Sequence, residues 1–138
     1  MMFPVIRSAV LDSWKFTWEL ENQKMKEIAN SIFPWKYSSM TRQREVILSR
    51  LRIGHSRLTH GFLMSGDHQP FCEDCLVPLT VRHLMIECPS LSDQRERYFP
   101  SSCKGTDGGF SLAKILGVDF MEDRLFGFID AIDILNKI

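Results

Sequence analysis

Four residues within a stretch of seventeen constrain this chain more than anything else in it: Cys72, Cys75, His83 and Cys88, spaced C-x2-C-x7-H-x4-C. Three thiolates and one imidazole complete the four-coordinate shell of a closed structural zinc site. A C-x2-C turn reverses the chain, so both sulfurs can face one ion. Phe71 before the turn and Val77-Pro78-Leu79 after it read as a short ribbon, and Thr80 to Glu87 as one or two helical turns with His83 in the first. On an ideal helix Cys88 lies five residues, or roughly 140°, round from His83, too far to share an ion. Pro89 answers this, because a residue before proline is pushed towards extended geometry. The helix is therefore expected to end near Glu87 and to release Cys88 towards the metal.

The competing account is ordinary: buried cysteines behave as small core residues, and the histidine is a surface one. A lone C-x2-C would not outweigh that account; a His and a third Cys at ligand spacing do. A rival quartet replaces Cys88 with His68. Disulfides are disfavoured because Met1-Met2-Phe3-Pro4 has neither a basic n-region nor a long apolar h-region. Reduced thiols point to an intracellular protein, nuclear or cytoplasmic. The fourth cysteine, Cys103, falls in the loop Ser101-Ser102-Cys103-Lys104-Gly105 and reads as a bystander.

At 138 residues with 44% hydrophobic content, the chain is expected to form one domain over residues 1–138, with the zinc segment at 70–89 inserted in it. No run of 18 apolar residues is present, so no membrane contact is expected. The formal net charge is zero, yet charge is unevenly placed. Lys36, Arg42, Arg44, Arg50, Arg52 and Arg57 face Glu45 alone between residues 36 and 60. Asp119, Glu122, Asp123, Asp130 and Asp133 face Arg124 and Lys137 near the end. Either the two regions neutralise each other, or Arg42, Arg44, Arg50, Arg52 and Arg57 form a phosphate-binding surface for RNA or DNA, a role that the guanidinium fork suits. Phe62 and Phe71 are candidates for base stacking, although apolar packing is the commoner use of either.

The rest reads as helices. An amphipathic helix from Ser8 to about Ser31 carries Trp14, Trp18, Met25 and Ile28, and Phe33-Pro34-Trp35 interrupts it. A second spans about Thr41 to Ile53, with Gly54 as a left-handed cap. Leu58, Phe62 and Leu63 mark a short third. Ser90 reads as an N-cap for a helix from Leu91 to Phe99, residues 101–109 as a flexible loop, and Ser111–Leu116 and Glu122 to about Lys137 as closing helices. The last places Leu125, Phe128, Ile129, Ile132 and Leu135 on one stripe. The fold class is mainly α: a small helical domain with an inserted CCHC zinc-knuckle-like ribbon and helix.

The run from Arg44 to His60, then Pro70-Phe71-Cys72 to Cys75, Pro78-Leu79-Thr80, His83 and Glu87-Cys88-Pro89, resembles the carboxy-terminal region of arthropod-type non-LTR retrotransposon polyproteins. Trp14 and Trp18 resemble the start of that tail; Ile115-Leu116-Gly117 and Leu135-Asn136-Lys137-Ile138 resemble its end. The resemblance implies a knuckle-like tail that follows reverse transcriptase and ribonuclease H domains and contacts template RNA or target DNA. It maps the ligands onto the same Cys72, Cys75, His83 and Cys88.

No catalysis is expected. Ribonuclease H and polymerase chemistry needs convergent carboxylates around divalent ions, and the acids here are scattered; Asp130 and Asp133, at i and i+3, read as a solvated face. Two functions follow: a zinc-stabilised nucleic-acid-binding module, or a piece that docks on the ribonuclease H or reverse transcriptase domain through its Trp-bearing helix, as a working tail or as a retroelement remnant. The docking function requires Trp14 and Trp18 to be partly exposed. A small-molecule substrate is expected for neither.

Overall fold

Gly54 and Thr41 show how directly local sequence sets the second helix. In a computed structural model, which describes residues 3–20, 24–28, 39–134 and 137–138, the Thr41 hydroxyl accepts from the Arg44 amide at 3.4 Å and opens α2 (Arg42–Ile53). Gly54, at φ 77°, closes it, donating to the carbonyls of Arg50 and Leu51. A left-handed residue at this point is nearly free for glycine and costs other residues about 1–2 kcal/mol. Ile47, Leu48 and Leu51 face the core, while Ile53 points outward.

The remaining elements are α1 (Phe3–Leu20), a 3-10 turn at Lys24–Glu27, α3 (Arg57–His60), α4 (Phe62–Ser65), a π-helical turn at His83–Glu87, α5 (Ser92–Tyr98), α6 (Leu112–Leu116) and α7 (Glu122–Ala131). Among the described residues there is no strand, only isolated bridges between Phe71 and Pro78 and between Lys104 and Phe110. The fold is mainly α, a small helical domain. Its core joins α2 to Leu112, Ile115 and Leu116 of α6, Leu125, Phe128 and Ile129 of α7, and Val81, Leu84 and Met85 of the Cys/His segment. Phe99 crosses the Phe128 ring at 5.0 Å and thereby ties α5 to α7.

Several boundaries differ from the sequence reading. The first helix is described over Phe3–Leu20, and Lys24–Glu27 forms a 3-10 turn instead of an α-helical continuation towards Ser31; of the four-residue stripe only Ile28, beyond that turn, reaches the core. The Phe33-Pro34-Trp35 interruption, Lys36, and Leu135 and Asn136 lie outside the described residues. α7 ends at Ala131, and Asp133 beyond it takes φ 58°, so the chain turns and buries Ile134 instead of continuing to Lys137. Ser90 is not an N-cap: a 3-10 turn (Pro89–Leu91) leads into α5 from Leu91, and the Ser90 hydroxyl lies 2.9 Å from the Cys88 sulfur. Residues 101–109 fold back on themselves, with Gly105 N–H donating to the Gly109 carbonyl and Ser111 N–H to that of Cys103. Cys103 itself is buried in the core.

Gly117 is required for a different reason. A Cβ there would lie 1.9 Å from the Ala113 carbonyl oxygen and 3.0 Å from that of Ile28. Both obstacles are backbone and cannot swing aside. Gly117→Ala is expected to destabilise the chain by about 1–3 kcal/mol, the usual cost of forced overpacking, measurable as a lower denaturation midpoint in urea; an unchanged midpoint would show that the backbone yields.

Candidate metal centre

Two short backbone devices bring the four spaced residues together. In the first, Cys72 N–H donates to the Val77 carbonyl, Leu76 N–H to that of Cys72, and Leu79 N–H to that of Pro70, so the C-x2-C segment forms a tight knuckle on a two-rung ribbon. Leu76 turns the corner at φ 56°. In the second, the Thr80 hydroxyl accepts from His83 N–H at 3.0 Å and starts a helical turn, which then widens: Cys88 N–H donates to the His83 carbonyl, five residues back, at 2.8 Å. A π turn brings residues five apart round to one side. This, together with the extended backbone of Cys88 (φ −64°, ψ 117°) before Pro89, solves the misalignment that an ideal helix would impose.

The result is one cluster. The ligand atoms of Cys72, Cys75, His83 and Cys88 all lie within 4.8 Å of one another. Cys88 Sγ is 3.8 Å from Cys72 Sγ and 3.9 Å from Cys75 Sγ. Disulfide bonding needs about 2.05 Å, whereas two sulfurs each about 2.3 Å from a tetrahedral ion stand about 3.8 Å apart. Nε2 of His83 is buried with no hydrogen-bond partner, an arrangement that costs free energy unless the nitrogen has a ligand to bind. Donor set, spacing and orphaned nitrogen are all compatible with a metal site. His68 is exposed and lies outside the cluster; Cys103, buried in the core, lies outside it too.

The surroundings orient the four candidate ligands. Glu87 Oε2 stands 3.9 Å from His83 Nδ1, and its other oxygen accepts from Arg82 Nε at 2.7 Å; Arg82 also reaches Glu27 at 2.6 Å. A carboxylate facing the distal nitrogen of a ligating histidine is a common way to fix its tautomer. Burial pushes the Cys88 thiol up, but hydrogen bonds from Ser90 and the other two thiols outweigh this and hold it below the usual thiol range. Desolvation and the thiols of Cys72 and Cys88 push Cys75 up to about 11.

One residue of the centre escapes the spacing argument. Arg95 of α5 is 3% exposed and donates Nε to the Met85 carbonyl at 2.9 Å, and its terminal nitrogens to those of Cys88, His83 and Leu84 at 2.5, 3.3 and 3.2 Å. It closes the carbonyl end of the π turn that carries two of the candidate ligands. A signal existed: Arg95 is four residues after Leu91 and four before Phe99, a cation in an apolar register.

The five arginines assigned to phosphate are not gathered on one free face. Arg44 pairs with Glu122 at 2.8 Å and lies over the Phe126 ring, so part of the basic region and the acidic end neutralise each other. Arg50 donates to the Ile138 main-chain oxygen at 2.7 Å. Arg52 donates to the carbonyls of Leu116 and Gly117, and burial pulls its pKa down to about 10. Arg42 and Arg57 remain exposed. Comparison with protein-family models, curated proteins and solved structures gives no match.

Proposed function

We propose that this chain is a zinc-stapled interaction module that docks on a protein domain through α1. Zinc is the ion favoured by three soft thiolates with one imidazole, and four protein ligands leave no open position for substrate. Its work is structural: it holds the knuckle and the π turn to the helical core.

The observation that carries the docking reading is the surface of α1. Asp12, Lys15 and Glu19 share one strip with Ser8, at i, i+4, i+7 and i+11. Val5, Ile6, Val10, Trp14, Phe16 and Leu20 spread round most of the remaining circumference, and all are exposed. A helix apolar on most of its sides is ordinarily buried, and contiguous exposed apolar surface marks an interaction site. Trp14 is 62% exposed and Trp18 half-buried, as the docking reading requires. No described helix is long and apolar enough to cross a membrane. The charges of Arg7, Asp12, Lys15 and Glu19 cancel, which suits a protein face better than a phosphate polymer.

The family resemblance supplies the partner, a ribonuclease H or reverse transcriptase domain of a retroelement polyprotein. Titrating such a ribonuclease H domain into the zinc-loaded chain should shift the tryptophan emission to the blue. Trp14→Glu should weaken that binding at least tenfold with the melting temperature unchanged. An unshifted spectrum sinks this partner, and a dimer in sedimentation equilibrium that Trp14→Glu abolishes would assign α1 to a second copy.

A further inference from the structure

Two complementary surfaces adjoin at the knuckle. The first is a groove of about 820 Å³ between α3, α4 and the knuckle's base, within the range of about 300–1,000 Å³ usual for binding clefts. Phe62, Met64 and Pro70 give it apolar walls, and Arg57, His68 and Lys137 line it with exposed basic side chains. Its one carboxylate, Asp67, accepts from the Ser65 hydroxyl at 2.5 Å.

The second surface is the convex tip of the knuckle. Glu73 and Asp74 are exposed there, and Phe71, Leu76 and Val77 are 59%, 77% and 39% exposed. Among the described residues Arg57, His68, Lys137, Glu73 and Asp74 make no ion pair, whereas Arg44, Arg82 and Lys104 are all paired. Unpaired acids on an apolar bulge and unpaired cations round an apolar hollow match in shape and in charge.

The chain cannot join the two within itself. Leu79 N–H bonds to the Pro70 carbonyl at the base of the ribbon, and Cys72 N–H to that of Val77 beyond it, so the tip is held at the opposite end from the groove that Pro70 borders. A second copy can supply the match, and a two-fold axis makes both contacts at once. A phosphate polymer would engage the cations, but it would meet two carboxylates on the neighbouring tip and leave Leu76 uncovered.

We propose that two copies of this chain pair about a two-fold axis, each seating its acidic knuckle tip in the basic groove of the other. The pairing does not rest on the docking role of α1.

The test is sedimentation equilibrium of the zinc-loaded chain carrying Trp14→Glu, which keeps α1 out of any contact. A dimer that weakens with added salt is expected, because its charge pairs are at the surface. Glu73→Lys with Asp74→Lys, and separately Arg57→Glu with Lys137→Glu, should each weaken it about tenfold or more: an exposed ion pair is worth about 1.4- to 5-fold in affinity, and reversal turns every pair into a repulsion. Mixed in equal amounts, these two variants should form a heterodimer about as stable as the parent dimer, since each tip again meets a groove of opposite sign. Leu76→Asn, which tolerates the left-handed corner and removes the apolar contact, should weaken the dimer with zinc retained. Arg42→Glu, outside the groove, should leave it unchanged. If the tip reversal loses its zinc, the groove reversal and Leu76→Asn decide alone. A monomer at every concentration, a dimer indifferent to either reversal in zinc-retaining variants, an equal effect of Arg42→Glu, or failure of the zinc-retaining variants to pair on mixing would each overturn the proposal.

Discussion

Removing the metal, or replacing His83 with Ala, is expected to unfold the chain from the knuckle through α5 and to loosen the core that these residues share with α2 and α7. Structural zinc in finger peptides contributes about 10–16 kcal/mol near neutral pH, as much as the whole stability of many domains, about 5–15 kcal/mol. Little compensates for its loss here. Val81, Leu84 and Met85 enter the core from the turn that carries His83 and Cys88, so releasing the turn withdraws apolar packing from the rest. Three thiols within the cluster and a buried Nε2 with no partner would be left facing one another. Metal analysis of the purified chain should give one zinc per molecule, and none for Cys72→Ala, Cys75→Ala, His83→Ala or Cys88→Ala. Chelation should abolish the cooperative thermal transition. His68→Ala should keep both its zinc and its melting temperature; the reverse pattern, metal kept by His83→Ala and lost by His68→Ala, would hand the fourth position to His68.

That the four clustered residues could be picked out by spacing, while the residues that hold them could not, has a physical cause. Ligand spacing is local chemistry: the C-x2-C turn, the Thr80 start and the Pro89 stop each act over a few residues, as do Thr41 and Gly54 at the ends of α2. Each is visible in a window shorter than ten residues. The widening of the turn at His83 is not, because a π-type hydrogen bond depends on what receives the carbonyls it leaves behind, and the receiver is Arg95, on another helix. The same separation hid the use of the arginines. Arg44 meets Glu122, and Arg52 meets Leu116, only after α2 packs against α6 and α7; in sequence they are simply a basic run. Cys103 looks like a loop residue because Ser, Gly and Lys surround it, yet its small apolar side chain fills the core. The first helix fails in the opposite direction. Its apolar pattern is strong, but a pattern reports only that a surface needs covering, and among the described residues little of the chain covers it.

Arg95→Met should cost about 3 kcal/mol or more and speed the loss of zinc, although Arg95 is not a ligand. Ordinarily a carbonyl in a helical turn finds an N–H four or five residues on. The Cys88 N–H goes to His83, and the next residue, Pro89, has none to offer Leu84. The guanidinium takes its place, reaching Leu84 and Met85 while adding a second donor to His83 and Cys88. Leaving two buried carbonyls unpaired costs about 1–3 kcal/mol each. Charge acts in the same direction. Three thiolates and a neutral imidazole round a divalent ion carry one net negative charge, and a buried guanidinium against the Cys88 carbonyl offsets it. A melting temperature lower by roughly 10 °C is expected for a chain of this size, with faster transfer of zinc to a competing chelator at a temperature where the variant is still folded. Arg95→Lys should recover part of the charge effect and little of the rest, because three donors on one nitrogen cannot span four carbonyls. If Arg95→Met melts lower but yields its zinc at the parent rate, the residue serves packing alone; if neither changes, the carbonyls have found water, and the turn stands without the guanidinium.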